Sequence, residues 1–378
     1  MTKADVMANW DAIVCDPALS LGRVSAHLDR VVASGPELLD DTYLVLATGG
    51  STGTRGVFVW DLADFTEHMA ASGRAAVWNA RRRSNAADQL RRAVVFGGNP
   101  VHLSYTLAWL VGTEIRSAGT PLAELVEWLN ELQPDSLGGY ASILGRLAEE
   151  TLSGRLAISP LAVDSLAEPA DERLRDRIAR AWGCPLTNVY GLTEAPAIAV
   201  SYENSSTLTL HDDIAIIEVV NADGQPTSPG EVGERILVTT LTNRTLPLVR
   251  YEVTDQLALL DGPVDDRRWT GPLISPPVGR ADDWFRWSNG IEVHPHVIRS
   301  ALVKEPAVVE YTVHQTREGI DLTIVAAGEL DAESLRHHLT AALSESGMEH
   351  PQVAVTLVDN LPRHHQSSKL KRFVPLEN

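Results

Sequence analysis

The sequence predicts an α/β protein in two parts, a large α/β domain over residues 1–280 and a small α+β domain over 281–378. Three observations predict it. Apolar runs of strand length alternate with segments of helical periodicity through the first half, and short strands separated by turn residues fill 207–260. A connector at 261–279 with four prolines then gives way to a compact strand–strand–helix–strand unit.

In order along the chain, residues 5–37 read as helical, with Val6, Trp10, Ile13 and Val14 and then Leu21, Val24, Leu28 and Val32 at helix-like spacing. TYLVLA (42–47) is a buried strand entering the loop TGGSTGTRG (48–56), and GVFVW (56–60) resumes as a strand. Asp61 is placed to cap the helix DLADFTEHMAAS. AVVFGG (93–98), a helix at 119–132 and SILGRLAEE (142–150) continue the alternation. RLRDRIARAWG ends on Gly183 and runs into LTNVYGLTEAP. IAIIEVV, ERILVTTL and LALL follow as strands, the first two separated by the turn NADG (221–224). AVVEYTVHQ, IDLTIVAA, a helix at 331–346 and VAVTLV make the last unit.

The chain has 378 residues, 44% apolar and 22% charged, as ordinary for a globular protein with a sizeable core. Its formal net charge of −18 opposes nucleic acid or an anionic membrane as the main partner, because both are polyanions. Cys15 and Cys184 stand far apart, outside any metal-ligand spacing. The first residues carry charges within any apolar segment, and no run approaches the ~18 apolar residues that span a bilayer. The expectation is a cytoplasmic protein, monomer or homodimer.

Five segments carry chemistry. TGGSTGTRG can cradle phosphate, since small residues let backbone N–H groups approach an anion and the hydroxyls add donors; alone it is equally a plain connector. NVYGLTEAP (188–196) offers an aromatic face, a hydroxyl and, in Glu194, a hard oxygen for Mg²⁺. In LPLVRYEVTDQ (246–256), Asp255 can accept two ribose hydroxyls. GRADDWFRWSNGIEVHP (279–295) and the basic LPRHHQSSKLKRF (361–373) complete the set. The pairs His294/His296 and His364/His365 read as surface histidines rather than metal ligands.

In this order and spacing the five segments resemble the adenylate-forming superfamily, most closely its phenylacetate–CoA ligase-like branch, from about Leu44 to Val374. GGSTGTRG looks like the phosphate loop, LAEP (166–169) the adenine-side turn, YGLTE the aromatic–Gly–x–Thr/Ser–Glu signature, PLVRYEVTD the ribose strand, GRADD the hinge, and KLKR the segment of the adenylation lysine. The resemblance implies a large adenylating domain of sheets flanked by helices with a distorted small barrel, and a small mobile C-terminal domain. It implies adenylation of a carboxylic acid by ATP with Mg²⁺, then transfer to an acceptor, by default CoA.

Roles follow from the resemblance residue by residue. Ser51, Thr52, Gly53, Thr54 and Arg55 would hold the β/γ-phosphates, with Arg55 supplying the cation that family loops carry as lysine. Glu168, Asn188, Tyr190 and Gly191 would flank adenine, and Asp255 and Arg280 the ribose. Thr193 would bond the α-phosphate, Glu194 would hold Mg²⁺, Asp282 would be the hinge, and Lys369 would meet the charge at the reacting centre. His102, Tyr105, Tyr140 and Pro196 are candidates for the acyl wall, whose aromatic character suits an aryl acid. The loop at 286–290 departs from the family pattern, which leaves open an amine or nitrite chemistry in place of CoA. A non-catalytic ligand-binding relative is the reading from another class.

Overall fold

The computed structural model describes residues 1–48, 56–74, 90–97, 100–202, 205–262, 271–280, 284–288, 290–293, 295–302, 305, 307–363 and 370–376. The stretch expected to be helical from 5 to 37 is three helices, α1 (Lys3–Ala8), α2 (Trp10–Ile13) and α3 (Leu21–Ser34). Asn9 sits outside helical geometry between the first two, and Pro17 cannot continue a helical ladder between the second and third. β1 (Tyr43–Ala47) then pairs antiparallel with β2 (Val57–Asp61), so the Gly/Ser/Thr segment is the connection of a hairpin. Asp61 caps α4 (Leu62–Ser72) as expected, its Oδ1 accepting the Ala63 N–H at 2.8 Å.

The main sheet follows from β3 (Arg92–Phe96), α5 (Leu103–Leu110), β4 (Glu114–Ser117), α6 (Leu122–Leu132), β5 (Ser136–Gly139), α7 (Ala141–Leu152), β6 (Ala162–Leu166), α8 (Glu172–Trp182) and β7 (Leu186–Tyr190). These strands pair in parallel in the order β4-β3-β5-β6-β7, as strands joined through helices do. Two short strands, β8 (Ala199–Val200) and β9 (Leu208–Leu210), extend the sheet in antiparallel fashion. Next, β10 (Ala215–Val220), β11 (Arg235–Thr240) and β12 (Tyr251–Val253) form a three-stranded antiparallel sheet where a small barrel was expected. The NADG turn is present, with Gly224 at φ +75. β13 (Asp255–Gln256) leads to β14 (Leu259–Leu260) and β15 (Leu273–Ile274), which join the main sheet at its β9 edge, and β13 itself pairs with β16 (Gly279–Arg280).

The last part holds a hairpin of β17 (Phe285–Arg286) and β18 (Glu292–Val293), then α9 (Pro295–Leu302), β19 (Val308–Gln315), β20 (Gly319–Ala326), α10 (Ala332–Glu345), β21 (Gln352–Leu357) and β22 (Phe373–Val374). Its four strands lie in the order β21-β20-β19-β22. A separate core of Phe285, Ile298, Val313, Leu322, Leu335 and Phe373 closes it. Each such side chain contributes about 1.5–3 kcal/mol on burial, before the entropy of ordering. Two arginines join this part to the main sheet's helices. Arg173 on α8 donates to the carbonyls of Leu302 (2.9 Å) and Glu305 (2.7 Å), and Arg146 on α7 donates to Asn360 Oδ1 (2.8 Å). Among the described residues, no helix is long and apolar enough to cross a membrane.

Candidate functional site

The site gathers where β7 ends. Asn188 and Tyr190 are both buried in that strand, and Ser201 Oγ accepts the Asn188 N–H at 2.7 Å, which locks β7 to its neighbour β8. After Tyr190 the chain reverses through residues 191–197 in a turn too tight for a side chain at Gly191. A Cβ there would lie 2.2 Å from the Ala197 nitrogen, and Ala197 itself adopts the left-handed region at φ +46.

Three of the predicted segments meet on this turn. Tyr190 Oη donates to Asp255 Oδ2 at 2.8 Å, and the β13–β16 register places Asp255 opposite Arg280. Glu194 is buried, and Tyr251 Oη donates to its Oε1 at 2.7 Å. That bond orients the carboxylate and leaves Oε2 as a hard oxygen donor, so the residue fits a Mg²⁺ ligand. Thr193, between them, is half-buried. Tyr251 also packs edge-on against Phe58 of β2, ring centroids 6.2 Å apart, which ties the acid to the hairpin of the Gly/Ser/Thr loop.

The base of that loop is fixed on both sides. Thr48 N–H donates to the Gly56 carbonyl at 2.9 Å, and the Gly56 N–H donates back to Thr48 Oγ1 at 2.8 Å. Ser51, Thr52, Gly53, Thr54 and Arg55 lie outside the described residues, as do Asp282 and Lys369; of Arg280 only the backbone is described. The Val101 carbonyl accepts the Ala47 N–H at 3.0 Å, so the hairpin also abuts the segment leading into α5. His102 stands before that helix with its Nδ1 2.9 Å from Ser104 Oγ, and Tyr105 is half-buried in the first turn. Tyr140 is wholly enclosed, and its Oη accepts the Gly97 N–H at 3.1 Å. Burial holds its phenol well above the ordinary range. Its side chain is therefore sealed inside the fold.

Two buried histidines hold the far end of the turn. Since a carbonyl only accepts, His68 Nε2 carries the proton it gives to the Pro196 carbonyl at 2.5 Å, while its Nδ1 accepts from Thr242 Oγ1 at 2.7 Å. His211 Nδ1 likewise donates to the Ala197 carbonyl at 3.1 Å, and its Nε2 is buried with no partner among the described residues. Burial lowers the pKa of both imidazoles, His211 to about 4, so both are neutral at pH 7. Beside them Arg74 and Asp213 form a bidentate pair at 2.7 and 2.8 Å, and that guanidinium holds the Asp213 carboxyl below its usual range.

The sequence reading assigned no role to His68, Tyr251 or Thr242. A signal for the first was present: Asp64, His68 and Ser72 repeat every four residues on α4, a polar stripe that the structure buries beside Phe65. Tyr251 lies within the ribose segment, but its bond to an acid 57 residues away is a tertiary fact. Glu168 is buried in the turn after β6, where Ala167 adopts φ +63, and its carboxylate binds Ser142 and the Leu370 N–H. Among the described residues, no group of three or more His, Cys, Asp or Glu side chains is arranged to hold a metal.

Comparison with known proteins gives a consistent picture. No family model matches the chain. Phenylacetate-coenzyme A ligase of Escherichia coli K12 is 28% identical over 309 residues, 79% of this chain and 68% of the relative. Protein CapK of Staphylococcus aureus is 24% identical over 335 residues, 84% of this chain and 70% of the relative. Among solved structures, 2-hydroxyisobutyryl-CoA ligase in its postadenylation state matches with a TM-score of 0.66 at 18% identity, covering 93% of this chain and 78% of its own. The same ligase in its thioesterification state matches at 0.51, covering 93% of this chain and 79% of its own, at 19% identity. Anthranilate CoA ligase AuaEII with anthranoyl-AMP matches at 0.57 and 15% identity, covering 85% and 64%.

Proposed function

We propose that this chain, whose relatives and fold are those of the adenylate-forming superfamily on its phenylacetate–CoA ligase-like branch, is an AMP-forming ligase. It converts a small aromatic carboxylic acid to its adenylate, releases pyrophosphate, and passes the acyl group to CoA. The observation that carries this reading is the meeting of three separate segments at one turn. Tyr190 bonds Asp255, Asp255 faces Arg280, and Tyr251 bonds Glu194.

A carboxylate attacking the α-phosphate of ATP brings two anions together, so donors and positive charge must meet the charge that develops. Thr193 would bond the α-phosphate, and Lys369 would bring its ammonium to the same oxygens. Ser51, Thr52, Gly53 and Thr54, with Arg55 as the loop's cation, would hold the pyrophosphate end. Asn188, Tyr190, Gly191 and the turn of Glu168 would enclose adenine, and Asp255 with Arg280 the ribose. Mg²⁺ held at Glu194 would neutralise polyphosphate charge. His102, Tyr105 and Pro196 would border the acid, with Tyr140 backing them. Relatives named for phenylacetate and a neighbour holding anthranoyl-AMP support an aryl acid. The greater likeness to the postadenylation state than to the thioesterification state of one neighbour supports an arrangement that precedes acyl transfer; Asp282 would be the pivot between the two.

The test is ATP–pyrophosphate exchange with a panel of aryl and short aliphatic acids. One or more aryl acids should support exchange, and Lys369→Ala should cut its rate at least 100-fold. Absence of exchange with every acid, or exchange indifferent to Lys369→Ala, overturns the reading. Mass spectrometry of products formed with CoA, amines or nitrite present identifies the acceptor.

A further inference from the structure

Glu168 makes contacts that a nucleotide-binding side chain has no need of. Its Oε2 accepts the Ser142 N–H at 2.8 Å, and its Oε1 accepts from Ser142 Oγ at 3.2 Å and from the Leu370 N–H at 3.3 Å. Leu370 is buried. Its amide nitrogen is bonded to the carbonyl carbon of residue 369, so this hydrogen bond grips the peptide link that leaves Lys369.

The grip is part of a longer chain of contacts. Having given its proton to Glu168, the Ser142 hydroxyl accepts from Arg363 Nη1 at 3.1 Å. The other arm of Arg363 donates to Glu310 Oε1, and Arg146 Nη1 stands 3.6 Å from Glu310 Oε2. The Glu310 side chain is wholly buried, and Arg146 in turn holds Asn360. Residues 360 and 363 before Lys369, and 370 after it, are thus all anchored to one surface. That surface is made by the start of α7 and the turn that follows β6. A carboxylate placed there can take one N–H and one hydroxyl from Ser142 and still offer an oxygen to the incoming strand, which an amide or an apolar side chain cannot do as well.

We propose that Glu168 and Ser142 are positioning residues for Lys369, seating the peptide after it so that the ammonium reaches the reacting phosphate. The inference rests on the reading of Lys369 as the adenylation lysine. Neither residue needs to touch substrate.

Two variants of the full chain test it. Glu168→Ala removes the seat, and Ser142→Ala removes only a hydroxyl, leaving Glu168 the N–H groups of Ser142 and Leu370 and leaving Arg363 its bond to Glu310. Two readouts apply: amide hydrogen exchange of residues 370–376 followed in a peptide that begins at residue 367 or earlier, by mass spectrometry, and ATP–pyrophosphate exchange with the acid that serves the unaltered protein. Glu168→Ala should speed amide exchange in 370–376 at least 10-fold while peptides of β3, β5 and β6 stay protected. Its exchange kcat should fall at least 10-fold, with the KM for the acid within 3-fold. Ser142→Ala should move both readouts the same way by a smaller factor. Unchanged protection of 370–376 in Glu168→Ala overturns the seat whether or not any acid is turned over. Equal deprotection of the whole chain, or a kcat that stays within 2-fold, overturns the positioning role. An unaltered protein that exchanges pyrophosphate with no acid instead overturns the ligase reading, and the amide measurement still decides the seat.

Discussion

At the scale of single residues, Gly191 states the tightest requirement. The turn after β7 brings the Ala197 nitrogen to 2.2 Å from where a Cβ would be, and the three nearest atoms are all backbone, which cannot swing away. Gly191→Ala should therefore push the 191–197 turn outward. The expected cost is about 1–3 kcal/mol of stability, the ordinary range for overpacking, measured by urea denaturation. Pyrophosphate exchange should fall much further than stability does, because Glu194 and Thr193 ride on the same turn. A variant as stable and as active as the parent would show that the turn is not under this constraint. The sequence made Gly191 visible as part of an ordered set of motifs, YGLTE among them. It did not reveal Tyr251 as the partner of Glu194, since a contact over 57 residues arises only when β12 is laid beside the turn. The same holds for Glu168, whose sequence neighbours suggest a nucleotide turn while its bonds run to Ser142 and Leu370.

At the scale of elements, α4 and the segment before β10 clamp the turn from its far side through His68 and His211. The strands on either side of the Gly/Ser/Thr loop, the cap at Asp61 and the turn at NADG were legible, while the α4 stripe was present as periodicity but not read, and the pairing of β1 with β2 came only with the structure. Local signals of that kind survive folding because the forces that make them are local. The breaks within residues 5–37 were less legible, because apolar spacing alone does not register where a chain turns between helices. The histidines give this clamp a pH dependence whose sign is fixed. Burial depresses both folded-state pKa values, and an unfolded histidine titrates near 6.5. Below about pH 6.5 the unfolded chain takes up protons that the folded clamp refuses, so stability falls as pH drops toward 4. For His211 alone, a shift to about 4 corresponds to about 3 kcal/mol by pH 4. His211→Asn, which keeps a donor near the Nδ1 position, should flatten the slope of unfolding free energy between pH 6.5 and 4.5 by close to one proton. A slope identical to that of the parent would mean that His211 is already accessible to protons in the folded state.

At the scale of the whole molecule, an acidic chain of net charge −18 holds its two parts together with half-buried arginines. The sequence reads LPRHHQSSKLKRF as the basic segment of Lys369, and nothing in it signals that the fold turns Arg363 inward onto Ser142 and Glu310. Glu310 is the centre of the contact, wholly buried between Arg363 and Arg146. Charges taken out of water recover the cost of desolvation only while each keeps its partners. Arg146 would survive loss of Glu310, because Asn360 Oδ1 and the Asp359 carbonyl still accept from it. Arg363 would not, keeping among the described residues only Ser142 Oγ in a nearly enclosed place. Glu310→Gln and Arg363→Met should therefore each cost about 3–5 kcal/mol in urea denaturation, the range for breaking one partner of a buried pair. The double variant should cost less than the sum by at least about 1.5 kcal/mol, since the second change removes the charge that the first left stranded. Effects that add to within about 0.5 kcal/mol would show the two groups to be independent, and the joint between the two parts would then owe its stability to Arg173 and apolar packing instead.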